Sequence, residues 1–239
     1  MKPNIILDFD GVINNQKYDA EKFKKILIKK FGEKEFEIIE KKIEKNPLKY
    51  WWIVQGERTA PSDSDFLIKY GVVGNILSRK IDKSGNLTLN LFDKATRNNK
   101  PHFFKDMKKT ISKLKKKYNI IVVSNSEAVK IRRMLKKEGI NVKVIGWAKK
   151  YLVDNSFDKV EKSIKVGSIS IPVRRPFYYK ILKKLKPEFV VSDVFAVDLS
   201  LPYIMGIKII LKKNSYTPEY SLDFVKKNGR VIKDLSDLI

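Results

Sequence analysis

The sequence predicts an α/β protein: a parallel sheet alternating with helices, interrupted after its first strand by a mostly α-helical module. Three observations predict it. The apolar run Asn4-Ile5-Ile6-Leu7 has the length and composition of a strand covered on both faces. Residues 101–239 alternate β-branched runs with amphipathic helical patterns, which implies βαβ units with right-handed crossovers. Residues 15–100, in contrast, carry their large apolar side chains mainly at helical spacing.

The first strand runs into Asp8-Phe9-Asp10-Gly11-Val12, so Asp8 and Asp10 emerge at its carboxyl end. Open parallel sheets bind ligands there. Two acids one residue apart are costly to bury unless a cation or a proton lies between them.

In the module, Phe23, Leu27 and Phe31 recur at four-residue steps in Ala20 to Phe31, and Phe36 to Ile43 repeats the helical pattern. Pro47 is placed to open a third helix containing Tyr50, Trp51, Trp52 and Val54, and Ser62 to Tyr70 and Val72 to Leu77 suggest two shorter ones. Leu87, Leu89 and Leu91 alternate with polar residues after a turn-like Lys83-Ser84-Gly85-Asn86, which is a strand period. Tyr50, Trp51 and Trp52 read as core of the module, with a base-stacking platform as the alternative.

Beyond Pro101, Phe103, Met107, Ile111 and Leu114 mark an amphipathic helix that leads into the strand Asn119-Ile120-Ile121-Val122-Val123, ending at Ser124-Asn125. A helix from about Glu127 to Glu138 closes at Gly139, and the strand Asn141 to Gly146 follows. Ile164 to Ile171 suggests a strand or hairpin inside the segment from Lys149 to Val173. Pro176 suits the first position of a helix whose buried stripe is Phe177, Ile181 and Leu185. Phe189-Val190-Val191-Ser192-Asp193 is a strand, Leu199 to Met205 a helix, and Ile207 to Leu211 a further strand.

Composition narrows the chemistry. With no cysteine and a single histidine, His102, thiolate zinc sites, disulfides, cysteine nucleophiles and histidine-based catalysis are excluded or improbable. A metal would be held by oxygen, which points to magnesium. No apolar stretch approaches the length of a membrane span, and Met1-Lys2-Pro3 begins no signal sequence, so a cytoplasmic protein without a membrane partner is expected. The net charge of +24 is uneven: residues 101–239 hold 31 basic and 13 acidic residues. Such a field draws phosphorylated substrates or polyanions, and nucleic acid is a candidate partner on that ground. The bland alternative is lysine that merely solvates helix faces.

Four anchors at strand ends or helix starts then stand in order: Asp8-Phe9-Asp10-Gly11-Val12, Ser124-Asn125-Ser126, Arg175-Pro176, and Ser192-Asp193-Val194-Phe195-Ala196-Val197-Asp198. Their order and settings resemble the haloacid dehalogenase superfamily over nearly the whole chain. The resemblance implies a Rossmann-like three-layer core from residues 1–14 and 101–239, and a mostly helical cap domain from residues 15–100. It implies a magnesium-dependent phosphatase acting on a small phosphorylated substrate, because the dehalogenase branch lacks the second aspartate of the first motif. Asp8 would be the nucleophile that forms an aspartyl-phosphate, and Asp10 the acid and base. Ser124 and Asn125 would bind phosphoryl oxygens, and Asp8, Asp10 (through its carbonyl), Asp193 and Asp198 would hold Mg²⁺. Arg175 departs from the family's usual lysine. It would supply the phosphate-binding cation, with Arg174 and Lys165 as rivals. A phosphomutase of the same superfamily, and a basic protein that binds nucleic acid or processes its ends, are the alternative functions. The oligomeric state is not legible.

Overall fold

The computed structural model describes residues 2–97 and 99–239. Met1 and Asn98 lie outside them. The chain divides into two compact units, Met1–Asn15 with Pro101–Ile239, and Gln16–Lys100.

Strand β1 (Asn4–Leu7) opens the first unit. The second unit follows as helices α1 (Lys17–Phe31) and α2 (Glu33–Lys45), an antiparallel hairpin β2 (Trp51–Val54) and β3 (Glu57–Pro61), then α3 (Phe66–Ser78) and α4 (Asn86–Thr96). Its core gathers Phe23, Leu27, Phe36, Ile43, Tyr70, Val72, Val73 and Ala95.

Three details of this unit differ from the sequence reading. Pro47–Lys49 forms a single 3-10 turn, and Trp51–Val54 is a strand. Gln55 and Gly56 both take positive φ, 52° and 84°, the turn that joins two twisted strands, and the aromatic and β-branched Trp-Trp-Ile-Val suits the pleat. Phe66–Ser78 is one helix, not two. It continues through Gly71, where an added Cβ would lie 2.7 Å from the Trp52 indole nitrogen. The leucine alternation is helical as well: Thr88, Leu91, Phe92 and Ala95 turn inward at three- and four-residue spacing. The Asp82 carboxylate accepts the Ser84 and Leu87 N–H groups at 2.8 and 2.6 Å and so starts that helix.

The first unit resumes with α5 (Met107–Lys117), β4 (Asn119–Val123), α6 (Ala128–Lys137) and β5 (Lys143–Ile145). An antiparallel hairpin, β6 (Ser163–Val166) and β7 (Ile169–Pro172), precedes α7 (Pro176–Leu185) and β8 (Phe189–Ser192). A π turn over Phe195–Leu199 leads into α8 (Ser200–Ile204), and β9 (Lys208–Lys212), α9 (Glu219–Asn228) and β10 (Arg230–Ile232) complete the unit. The sheet order is β10-β9-β8-β1-β4-β5, and every pairing is parallel. This is a Rossmann-like α/β fold.

Alternation along the strands assigns the two faces. Ile5, Leu7, Ile120, Val122, Phe189 and Val191 join one cluster with Ile111 and Leu114 of α5 and Ile131, Met134 and Leu135 of α6. Ile6, Ile121, Val123, Val190, Ile209 and Leu211, the intervening residues, are equally buried and point the other way. Each such side chain contributes about 1.5–3 kcal/mol relative to exposure. Strand β1 lies between β4 and β8, so the connection runs to opposite sides of it. Its carboxyl end is the point where such sheets open a crevice for ligand.

Candidate active site

Asp8 follows the last residue of β1, and its backbone N–H still bonds the Val191 carbonyl of β8 at 2.9 Å. The turn after it is tight: Ile13 and Asn14 both donate to the Phe9 carbonyl, and Gly11 donates to Asn14 at 2.7 Å. Gly11 has φ of 76°, and a Cβ there would fall 1.8 Å from an Asp193 carboxylate oxygen. Only glycine allows the two strand-end loops to approach this closely.

Asp8, Asp193 and Asp198 are all buried, and their carboxylate oxygens lie within 4.8 Å of one another. The cation among them is Lys150. Its Nζ lies 2.9 Å from Asp8 Oδ1 and 2.7 Å from Asp198 Oδ1, and only 2% of its side chain is exposed. The Phe9 N–H also donates to Asp8 Oδ1, at 2.8 Å. Asp8 Oδ2 therefore carries no protein donor among the described residues. Asp198 accepts the Ser192 hydroxyl on Oδ2 at 2.6 Å. Asp193 Oδ2 is gripped from the loop after β9, by the Tyr216 hydroxyl at 2.5 Å and the Asn214 amide at 3.2 Å. Asn214 also donates to the Gly11 carbonyl at 3.2 Å and accepts from buried Lys212 at 2.9 Å. The motif loops are thereby tied to each other.

Three carboxylates against one contacting ammonium leave surplus negative charge in a dry site. Burial pushes the Asp8 carboxyl well up, against the pull of Lys150, and Asp193 is pushed up to about 7, mainly by burial. Lys150, between two carboxylates, is held above the usual lysine range despite its burial. A hard divalent cation answers this donor set, since clustered carboxylate oxygens are its preferred ligands and its charge would keep all three acids ionised.

The expected assignment of the cation to Arg175 does not match this geometry. Arg175 is fully buried at the start of α7, and its guanidinium donates to the carbonyls of Lys150 at 2.6 Å, Ala196 at 3.0 Å and Pro172 at 3.2 Å. Desolvation lowers it to about 10, still charged at neutral pH. Its guanidinium anchors the Lys150 backbone, while the Asp198 carboxylate partly offsets the cost of its burial. The rivals fare no better: Arg174 donates to the Asn155 and Val160 carbonyls, and Lys165 is an exposed residue on β6. No sequence pattern singles out Lys150, which no helix follows. It stands beyond β5 in a loop where Trp147 and Lys149 are held at positive φ of 50° and 48°. That sharp turn sends Lys150 inward while Lys149 lies over the Phe177 ring.

The second-motif residues stand at the end of β4. Ser124 is buried, and its Oγ accepts the Ser126 N–H at 3.1 Å, which leaves the hydroxyl its own proton to donate. The Asn125 side chain accepts the Lys150 N–H at 2.7 Å, so it helps place Lys150. Asp10 does not join the carboxylate cluster by its side chain; its oxygens receive the Asn14 amide at 3.1 Å and the Ser126 hydroxyl at 3.4 Å. Asn14 in turn accepts the His102 N–H at 2.7 Å, which ties together the two chain segments of the first unit.

A doubly wound parallel sheet with an acid-rich crevice at the end of its central strand defines the class: the fold is that of the haloacid dehalogenase-like hydrolases. No family model matches the sequence, and no curated protein is significantly similar to it. Solved structures supply the resemblance. A haloacid dehalogenase-like hydrolase from Bacteroides fragilis superposes with a TM-score of 0.60 at 14% identity, covering 100% of both chains. A protein described as a predicted phosphoglycolate phosphatase of Haemophilus somnus gives 0.56 at 15% identity, over 99% of this chain and 96% of that one. The magnesium-bound hydrolase YfnB of Bacillus subtilis gives 0.53 at 10% identity, over 99% and 96%. Among the described residues, no helix is long and apolar enough to cross a membrane.

Proposed function

We propose that this protein is a magnesium-dependent phosphatase that hydrolyses a small phosphate monoester through an aspartyl-phosphate on Asp8. One observation carries the reading: Asp8 lies at the end of the central strand, held on one oxygen by Lys150, beside the Asp193 and Asp198 carboxylates. Magnesium held by Asp8, Asp193 and the Asp10 carbonyl, with Asp198 behind them, would supply the positive charge that lets a carboxylate approach a phosphoryl group.

The chain's own residues do the rest. Lys150 and the Phe9 N–H fix Asp8 Oδ1, so Oδ2 is the oxygen that attacks phosphorus. As the bond from phosphorus to the ester oxygen breaks, Asp10 gives that oxygen a proton. Asp10 then takes a proton from the water that attacks the acyl phosphate, and inorganic phosphate and free Asp8 result. Ser124 Oγ–H and the Asn125 N–H are the donors assigned to the phosphoryl oxygens. The neighbour described as a phosphoglycolate phosphatase supports this branch of the fold, as does the presence of both Asp8 and Asp10.

The test compares wild type with Asp8→Asn on an aryl phosphate, with magnesium and with chelator. Loss of about 10³-fold or more is expected in the variant, the order that follows removal of a nucleophile, and a comparable loss with chelator. Equal rates in the variant, or turnover indifferent to metal, would overturn the mechanism.

A further inference from the structure

The amino ends of the same strands carry the opposite charge. A groove of about 680 Å³ opens there, and its cationic lining is Lys2, Lys115, Arg132 and Lys143, beside Asn119 and Asn141, with no acidic residue. It begins where β4 and β5 begin, so the length of a five-residue strand, roughly 15 Å, separates it from the aspartates.

The groove belongs to a larger basic face. Residues 107–143, which form α5, β4, α6 and the start of β5, hold 12 basic and 2 acidic residues. Helices α5 and α6 turn their apolar stripes to one cluster on the sheet, which leaves Lys108, Lys109, Lys113, Lys116, Arg133 and Lys136 exposed outside the groove. None of these exposed cations, and none lining the groove, enters an ion pair with a described residue.

The other unit differs. There Lys24 and Lys69 sit 3.0 and 2.9 Å from Glu40, and Lys69 also meets Glu44 at 3.0 Å. On the α5 and α6 face the contacts go to backbone instead. Lys2 donates to the Lys115 carbonyl at 2.6 Å and Lys115 to the Asn141 carbonyl at 2.8 Å. Such bonds hold the side chains in place and neutralise no charge. An ammonium has three donors, so each of these keeps two for a ligand.

We infer that this face binds the phosphate backbone of nucleic acid, at a site separate from the phosphatase centre and independent of that reading. The row of cations along the eleven residues of α5 is about 16 Å long, which suits a line of phosphates better than a single anion. A membrane surface is the poorer fit, because Val129 of α6 is the one large apolar side chain that α5 and α6 expose, too little to enter lipid.

Fluorescence anisotropy of labelled single- and double-stranded oligonucleotides, from about 50 to 200 mM salt, tests the inference. Wild type should bind, with affinity falling steeply as salt rises. Reversing three groove charges, Lys115→Glu with Arg132→Glu and Lys143→Glu, should weaken binding about tenfold or more and reduce the salt slope by about 3. Reversing the exposed Lys25, Lys30 and Lys42 of the other unit should change affinity less than about threefold, as loss of distant charge does. No binding at low salt, or equal loss in both triple variants, would overturn it. Displacement by inorganic phosphate at the same phosphate concentration would also overturn it, since it would mark a single-anion site. The glutamine versions of the groove substitutions, checked by circular dichroism, keep the test valid should the charge reversals unfold.

Discussion

The two ends of one parallel sheet have opposite electrostatic characters. At the carboxyl ends, Asp8, Asp193 and Asp198 are buried around a single contacting ammonium, and every carboxylate is held by named donors. At the amino ends, lysines and arginines stand exposed with no acid among the groove residues. The backbone alone would favour the reverse, since helices begin at the carboxyl edge of such a sheet and end at its amino edge, so the side chains set the sign of the contrast. A buried charge must be met atom by atom, whereas an exposed one is left to solvent and to whatever arrives. The net charge of +24 therefore says little about the buried end, where three carboxylates meet one contacting ammonium.

Removing the one ammonium should have the largest effect on the buried end. Lys150→Met leaves Asp8 and Asp198 without their common partner, and a loss of about 3–5 kcal/mol in folding stability is expected. Lys149→Met, one position away and half-exposed, should change stability by less than about 0.5 kcal/mol. Urea unfolding with chelator present measures both. Similar shifts in the two variants would erase the distinction between the buried pair and its exposed neighbour.

A smaller effect lies in pH. Asp193 in the folded chain is raised from 3.8 to about 7, and Asp8 is raised too, so the folded state keeps protons that the unfolded state has released. Without metal, stability should therefore fall as pH rises from about 4 to about 7, by up to about 1.4 kcal/mol per pH unit for each such group. Magnesium, which favours the ionised carboxylates, should flatten that slope. Thermal unfolding across this window, with chelator and with magnesium, gives the comparison; a metal-free protein that gains stability over the same range contradicts it.

The smallest expected change comes from the Asp193 clamp. Tyr216→Phe removes a hydroxyl donor on Oδ2, and magnesium binding measured by calorimetry should weaken about tenfold, as loss of an orienting partner does. Unchanged affinity would mean that the Tyr216 hydroxyl does not set the carboxylate.

Much of this was legible in the chain itself. The strands of the sheet from β1 to β9 and the helices between them follow apolar runs and amphipathic periods, and Asp8, Asp193 and Asp198 converge because all three follow parallel strands ending at one edge. Helix α9 and β10 were not read, and in the inserted unit local pattern misled where tertiary contacts decide. Thr88 is polar yet buried on the helix face, which made Leu87, Leu89 and Leu91 look like a strand. Lys150 could not be separated from Arg175 by sequence, because the choice rests on which basic side chain turns toward the carboxylates. That depends on a left-handed turn at Lys149 and on the Asn125 side chain, neither of which has a periodic signature.

The bond from Arg175 to the Lys150 carbonyl has a further consequence. It joins positions 25 residues apart, across the hairpin of β6 and β7. Because the two ends of that detour are fastened to each other, its tip at Gly167-Ser168 can lengthen or shorten while the ammonium beside Asp8 keeps its place. Sequence drift and deliberate grafting alike thus have a place to add chain without touching the chemistry.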